Sequence, residues 1–162
     1  MDVLHFMKEE YSRIRQLATG VVENDIAPAL SKLEVSKFVE TLELAVRVGN
    51  ELVLPELMDL GQRTFSVAVI GEEQAKALNR LIATFKKHGE FAEVKVQNLY
   101  TRALQHLDHM EKAVLPLVRD VISTPVREDI GEIALDYRTE LSTSKDSVEK
   151  SRDSGTSATI SA

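Results

Sequence analysis

The sequence contains no cysteine. The chain therefore forms no disulfide, zinc-thiolate site or iron–sulfur cluster, and it offers no thiol nucleophile. Any metal ion it binds must be held by histidine, carboxylate or tyrosine side chains.

The chain also lacks a long apolar run and an excess of positive charge. No stretch approaches the roughly 18 apolar residues that a membrane-spanning helix needs. The N-terminal "MDVLHFMKEEYSRIR" has acids where a signal peptide needs a basic and then an apolar segment. The net charge is −6, with Lys and Arg scattered among acids, whereas nucleic-acid binding needs a concentrated basic face. We therefore expect a cytoplasmic protein with no membrane or nucleic-acid partner.

The composition is that of one globular domain with a tail. The 162 residues are 43% hydrophobic and 28% charged, which suits a single core. The last 21 residues, from Ser142, include ten Ser or Thr and only two aliphatic residues larger than Ala. Such a segment buries too little apolar surface to offset the entropy of ordering it. We predict a helical domain over residues 1–141 and a disordered Ser/Thr-rich tail over residues 142–162.

Apolar residues recur at helical spacing in four segments. The inward stripes are Leu4, Met7, Tyr11, Ile14, Ala18 and Val21; Phe38, Leu42, Ala45, Gly49 and Leu52; Glu72, Ala75, Leu78, Ile82 and Phe85; and Val96, Leu99, Ala103, His106, Met110, Ala113 and Leu117. Four helices joined by modest loops most simply form an up-down-up-down four-helix bundle. The fold class is therefore all-α.

Two further segments complete the predicted fold. "STPVRED" suits the start of a short fifth, C-terminal helix, because Ser123 or Thr124 can cap it and Pro125 is favourable in its first turn. We expect this helix to pack through Val126, Ile130, Ile133 and Leu135. The apolar "TFSVAVIG" before the third helix is interpreted as a packed connection, since a single strand would have no partner.

The chain contains an internal repeat at a separation of 61 residues. Val53, Leu54 and Pro55 in "LAVRVGNELVLPEL" correspond to Val114, Leu115 and Pro116 in "LQHLDHMEKAVLPLV". A proline late in a helix costs about 3 kcal/mol unless something compensates. Its recurrence in the same local setting indicates two related helical hairpins.

These segments resemble those of the hemerythrin-like (HHE) domains, which are four-helix bundles of two hairpins around a non-haem di-iron site. "LHFMKEEYSRIRQL" is similar to the opening helix of that family, and "VGNELVLPEL" and "HMEKAVLPLV" are similar to its two segments that end in an aliphatic residue and proline. The resemblance covers about residues 3 to 140.

The resemblance implies where metal ligands would lie, and most of them are missing. The family's first-helix histidine falls on Tyr11, and its second-helix histidine and carboxylate fall on Ala45 and Gly49. The third-helix histidine aligns most naturally with Glu72. The fourth-helix histidine is retained as His106, but its companion carboxylate is Met110, with Glu111 beside it.

Several interpretations of this layer follow. Tyr11, Glu72 and His106 can satisfy one another as a hydrogen-bonded trio within the core. Alternatively, Tyr11, Glu72, His106 and Glu111 are the candidate ligands of a reduced metal site. The space at Ala45 and Gly49 is either filled by a bulky neighbour such as Met110 or Tyr11, or left as a cavity for a small apolar ligand.

The sequence therefore favours a protein that is not an enzyme. It has no G-x-S-x-G motif and no phosphate-binding glycine loop. The first hypothesis is a hemerythrin-like protein without cofactor that acts as a binding or interaction module, with a protein partner or a second copy of itself. The alternative is a protein with non-haem iron in altered coordination, for redox or gas sensing.

Overall fold

The computed structural model describes residues 1–23, 28–88 and 93–153. Every regular element in these ranges is helical, as the sequence predicts. The elements are α1 (Val3–Glu23), α2 (Pro28–Val48), a first π segment (Gly49–Val53), α3 (Leu54–Met58), α4 (Gln62–His88), α5 (Glu93–His109), a second π segment (Met110–Val114), α6 (Leu115–Val121) and α7 (Thr124–Asp153). Because each π segment joins its neighbours without a break, the elements form five helical rods.

Two predicted boundaries are wrong. The "TFSVAVIG" stretch is not a connection, because α4 begins at Gln62 and includes it. An apolar run of this length cannot be assigned by periodicity alone. The fifth helix is not short either, since α7 has 30 residues.

The length of α7 also bears on the predicted tail. Residues 142–153 are helical, and their Ser and Thr hydroxyls donate to carbonyl oxygens one turn earlier, such as Ser147 to Thr143 at 3.0 Å. Such bonds give these hydroxyls a partner inside a helix. Residues 154–162 lie outside the described residues.

The two π segments explain how the chain accommodates its repeated prolines. In each segment the amide of the following leucine donates to a carbonyl five residues earlier, Leu54 to Gly49 and Leu115 to Met110. Pro55 and Pro116 then lie in the first turn of α3 and α6, where a missing amide hydrogen is tolerated. The repeat in the sequence is thus a repeat of local structure.

The wider turns also change which residues face inward. After Met110 the buried positions are Val114, Leu115 and Val118, whereas Ala113 and Leu117, the predicted pair, are only partly buried. Likewise Val53 is buried and Leu52 only partly so. A π turn adds one residue relative to an α turn, so the inward stripe moves by one position.

One apolar core holds the rods together. α1 packs mainly on α2 and α7, α3 on α4, and α4 on α5. The largest fully buried side chains of this core are Phe6, Met7, Tyr11, Ile14, Phe38, Leu42, Leu54, Leu57, Leu78, Leu99, Leu107 and Met110. None of the helices in the described part of the chain combines the length and apolar composition needed to span a membrane.

α7 packs along α1 and α2. It runs parallel to α1, because Asp2 pairs with Arg127 and Glu10 with Arg138. It runs antiparallel to α2 and the first π segment, because Tyr137 bonds Glu51 and Lys145 pairs with Glu40.

The apolar contact of α7 differs from the prediction. Ile130 is buried and Leu135 partly buried as expected, but Val126 and Ile133 are exposed, and the other buried apolar side chain of α7 is Ala134. Gly131 lies against the N-terminus, where a Cβ would come within 1.7 Å of the Met1 carbonyl oxygen. That close approach fixes the face that α7 presents to the rest of the protein.

A single arginine organises the corner between α6 and α7. Arg127 donates from Nη1 to the carbonyl oxygens of Arg119 and Ile122, both at 3.1 Å, and from Nε to Asp2 at 2.9 Å. It therefore satisfies carbonyls at the end of α6, which have no helical donor. The same side chain ties this corner to the N-terminus.

Candidate functional site

The positions at which the resemblance would place ligands on α2, the first π segment and the second π segment face the core. Ala45, Gly49 and Met110 are all buried, at 2% exposure for Ala45 and 0% for Met110. Gly49 and Met110 are the first residues of the two π segments. The two hairpins therefore meet at this layer.

Methionine side chains occupy the space beside Gly49. A Cβ on Gly49 would lie 3.3 Å from the terminal methyl of Met110 and 3.7 Å from that of Met7. A Cβ on Gly71 of α4 would lie 3.6 Å from the Met110 sulfur and 3.1 Å from Leu54. Of the two alternatives for this space, the structure has the bulky neighbour: Met110 fills it, with Met7 rather than Tyr11 as its companion.

His106 is buried one turn before Met110, and its partner is a glutamine. The side chain is 2% exposed, and Nδ1 lies 3.0 Å from Oε1 of Gln74, so the imidazole N–H donates to the amide oxygen. Burial, with a smaller contribution from nearby His109, lowers the pKa of His106 to about 4. At neutral pH it is an uncharged core side chain.

Tyr11 is buried without a hydrogen bond. Its side chain is 1% exposed, and its hydroxyl finds no partner among the described residues. Burial, assisted by the charge of Glu111, raises the pKa of Tyr11 above its usual range. The phenol therefore stays protonated and behaves as an aromatic core residue with an unsatisfied hydroxyl.

The two candidate carboxylates are engaged by cations on the outer side of their helices. Glu72 lies 3.0 Å from Lys76 Nζ, one turn along α4. Glu111 accepts from Arg15 at 3.1 Å, and the same guanidinium reaches Asp108. Each carboxylate is about one-third exposed.

The predicted hydrogen-bonded trio of Tyr11, Glu72 and His106 is therefore wrong. The register of α4 explains the difference, because Gly71 and Ala75 face the core and Glu72 lies to one side. Gln74 lies on the opposite flank and takes the role expected of Glu72. A helix that begins at Gln62 has the apolar stripe Ala68, Gly71, Ala75 and Leu78, and this stripe indicates the register that the structure shows.

Sequence reasoning also missed two polar contacts of buried or half-buried residues. His109 donates from Nε2 to the Val67 carbonyl oxygen at 2.9 Å, which ties the end of α5 to α4. Glu10 is completely buried and pairs with Arg138 of α7. No spacing in α1 distinguishes Glu10 from its neighbour Glu9. Arg13 is a local partner of Glu10 at 3.3 Å, but Arg138 is 128 residues away.

Among the residues that the structure describes, no three His, Asp or Glu side chains are grouped so that they could hold a metal ion. The layer combines thioethers, glycines, an uncharged imidazole and an uncharged phenol. Comparison of the chain with protein-family models, curated proteins and solved structures finds no match.

Proposed function

We propose that the chain is a hemerythrin-like four-helix bundle, with α7 as a fifth helix, that has lost the di-iron site and acts as a non-catalytic binding or interaction module. The observation that carries the proposal is the packing of Met110 between Gly49 and Gly71. Thioether and aliphatic side chains stand where the resemblance expects nitrogen and oxygen donors. A di-iron centre prefers imidazole and carboxylate ligands.

The remaining donors support the same proposal. His106 bonds Gln74, and Glu72 and Glu111 pair with Lys76 and Arg15. Binding iron through them would break these contacts and require donors from separate faces to converge. A layer around Gly49 and Met110 that is packed and uncharged leaves the surface of the helices as the part able to recognise another molecule.

Metal analysis tests this proposal. The full chain, produced with added iron and purified without chelator, should contain no stoichiometric iron after dialysis, with the dialysis buffer as the blank. About two iron ions per chain would overturn the proposal. One iron per chain that is lost in the His106→Ala variant would favour the altered iron site instead.

A further inference from the structure

The face of α1 and α2 that α7 covers is lined by acids. We call it the acidic groove and define it by the five carboxylates that α7 engages, which are Asp2, Glu9, Glu10, Glu40 and Glu51. Arg47 lies on the same face. It pairs with Glu51 and Glu140, and its guanidinium lies 4.1 Å from the centre of the Tyr137 ring.

The cations of α7 match the groove by their spacing. Arg127 pairs with Asp2, Arg138 with Glu9 and Glu10, and Lys145 with Glu40. The intervals of 11 and 7 residues are close to whole turns of an α-helix, about three and two turns respectively. The three cations therefore share one face of α7, as a basic amphipathic helix would present them.

Arg138 is the central contact between α7 and the groove. Its guanidinium carbon lies 4.5 Å from the centre of the Phe6 ring, and its Nη2 pairs with the fully buried Glu10. Yet Glu10 Oε2 and Arg138 Nε are both buried and find no hydrogen-bond partner within residues 1–23, 28–88 and 93–153. The pair is thus incompletely satisfied, which weakens it relative to a bidentate contact.

The apolar contact beneath α7 is small. Ile130 and Ala134 are its buried apolar side chains, with Leu135, Tyr137 and Leu141 partly buried. From Ser142 to Arg152 every side chain is exposed, and Lys145 reaches back to Glu40 across this exposed half. The exposed Lys145–Glu40 pair contributes little, so the half of α7 from Ser142 onward is held far less firmly than the half that carries Arg127 and Arg138.

We propose that the acidic groove is a receptor for a basic amphipathic helix of a partner protein, and that α7 is its displaceable resident. This inference rests on the proposed function as an interaction module. The partner helix carries a cation, a small residue 7 positions later, and further cations at 11 and 18 positions, as Arg127, Ala134, Arg138 and Lys145 do in α7. Grooves on helical proteins commonly bind amphipathic helices in this manner.

The test uses the full chain and a labelled synthetic peptide with the sequence of residues 124–153. Ala134→Glu in the chain forces a charged side chain under α7 at a fully buried position and frees the groove. Ile133→Glu, one residue earlier on the exposed side, is the matched control. Fluorescence anisotropy should show binding to the Ala134→Glu chain. The Ile133→Glu chain and the unmodified chain should bind far more weakly, because their tethered α7 competes at an effective concentration in the millimolar range.

Charge exchange identifies the site of binding. A peptide with Lys145→Glu should bind the Ala134→Glu chain about fivefold more weakly, and a chain carrying both Ala134→Glu and Glu40→Lys should recover that loss. If circular dichroism shows that Ala134→Glu unfolds the chain, a Lys145→Glu chain decides instead. Lys145 is half-exposed, so this change weakens the contact of α7 without touching the core.

The outcomes are distinct. The receptor proposal is overturned if the folded Ala134→Glu chain does not bind the peptide at millimolar concentration. It is also overturned if Glu40→Lys does not change the binding of the Lys145→Glu peptide. Two iron ions per chain would overturn the proposed function, whether or not the peptide binds. A metal-free chain that does not bind the peptide would overturn only this inference.

Discussion

Tyr11→Phe should stabilise the protein. The ring is 1% exposed and packs in the core, and its hydroxyl has no partner among the described residues. A buried hydroxyl without a hydrogen bond costs about 1–3 kcal/mol relative to one that is satisfied. Phenylalanine retains the ring and removes only the oxygen, so we expect the free energy of unfolding to rise by about 1 kcal/mol.

Urea denaturation followed by circular dichroism measures this change, and thermal denaturation should show Tm rising by about 2–4 °C. Tyr137→Phe is the matched control, because the Tyr137 hydroxyl donates to Glu51 at 2.9 Å. It should lower stability by about 0.5–1.5 kcal/mol. If Tyr11→Phe also destabilises the chain, its hydroxyl has a partner in solution, and the description of a dry, packed layer is refuted.

Three further predictions concern other residues of the same structure. Because burial lowers the pKa of His106 to about 4, the unfolded chain takes up a proton below pH 6.5 while the folded chain does not. The contribution of the neutral His106 imidazole to the free energy of unfolding should be fully present above that pH and should fall by up to about 3 kcal/mol as the pH drops to about 4. Urea titrations of His106→Gln should lack this loss. Gly49→Ala meets the flexible end of a methionine at 3.3 Å, whereas Gly71→Ala meets both methyl groups of a leucine at 3.1 and 3.2 Å. Denaturation should therefore show the first variant to be more stable than the second by about 1 kcal/mol, and the reverse order would contradict the packing described. Arg127→Ala removes bonds to two carbonyls and a carboxylate and should destabilise by about 2–3 kcal/mol, while Arg119→Ala, at an exposed ion pair, should change stability by less than about 0.5 kcal/mol.

Periodicity predicted the helical class and the inward direction of Ala45, Gly49 and Met110. Ala45 lies before the first π segment, and Gly49 and Met110 are the first residues of the two π segments, so the extra residue of each turn has not yet shifted the helical repeat at these positions. The repeated Val-Leu-Pro indicated two similar hairpins, but it did not indicate π geometry. The inward stripe was therefore placed one residue early at Leu52 and Ala113.

The polar contacts were less predictable than the helices. Gln74 is the partner of His106 because α4 includes "TFSVAVIG", and its inward stripe of Ala68, Gly71 and Ala75 places Glu72 to one side. Glu10 looks like a solvated carboxylate until α7 brings Arg138 over it. Contacts between distant segments depend on how helices pack, which the pattern of one helix does not contain.

The outer half of α7 was missed for a different reason. Its composition argues for disorder, because Ser and Thr have modest helix propensity and the segment buries little. Its hydroxyls nevertheless bond along the helix, and Lys145 reaches Glu40. Composition indicates how much apolar surface this segment can bury, but it does not indicate these local bonds.

The paired π turns determine how the protein tolerates insertions and deletions. Deleting one residue within Met110–Val114 would return that turn to ordinary α spacing. Val118 would still face the core, because a π turn takes up its extra residue without turning the helix that follows, but Pro116 would then lie inside a continuous α-helix, which costs about 3 kcal/mol. Loops of such a protein can change length between related chains, but these two turns inside the rods should keep theirs.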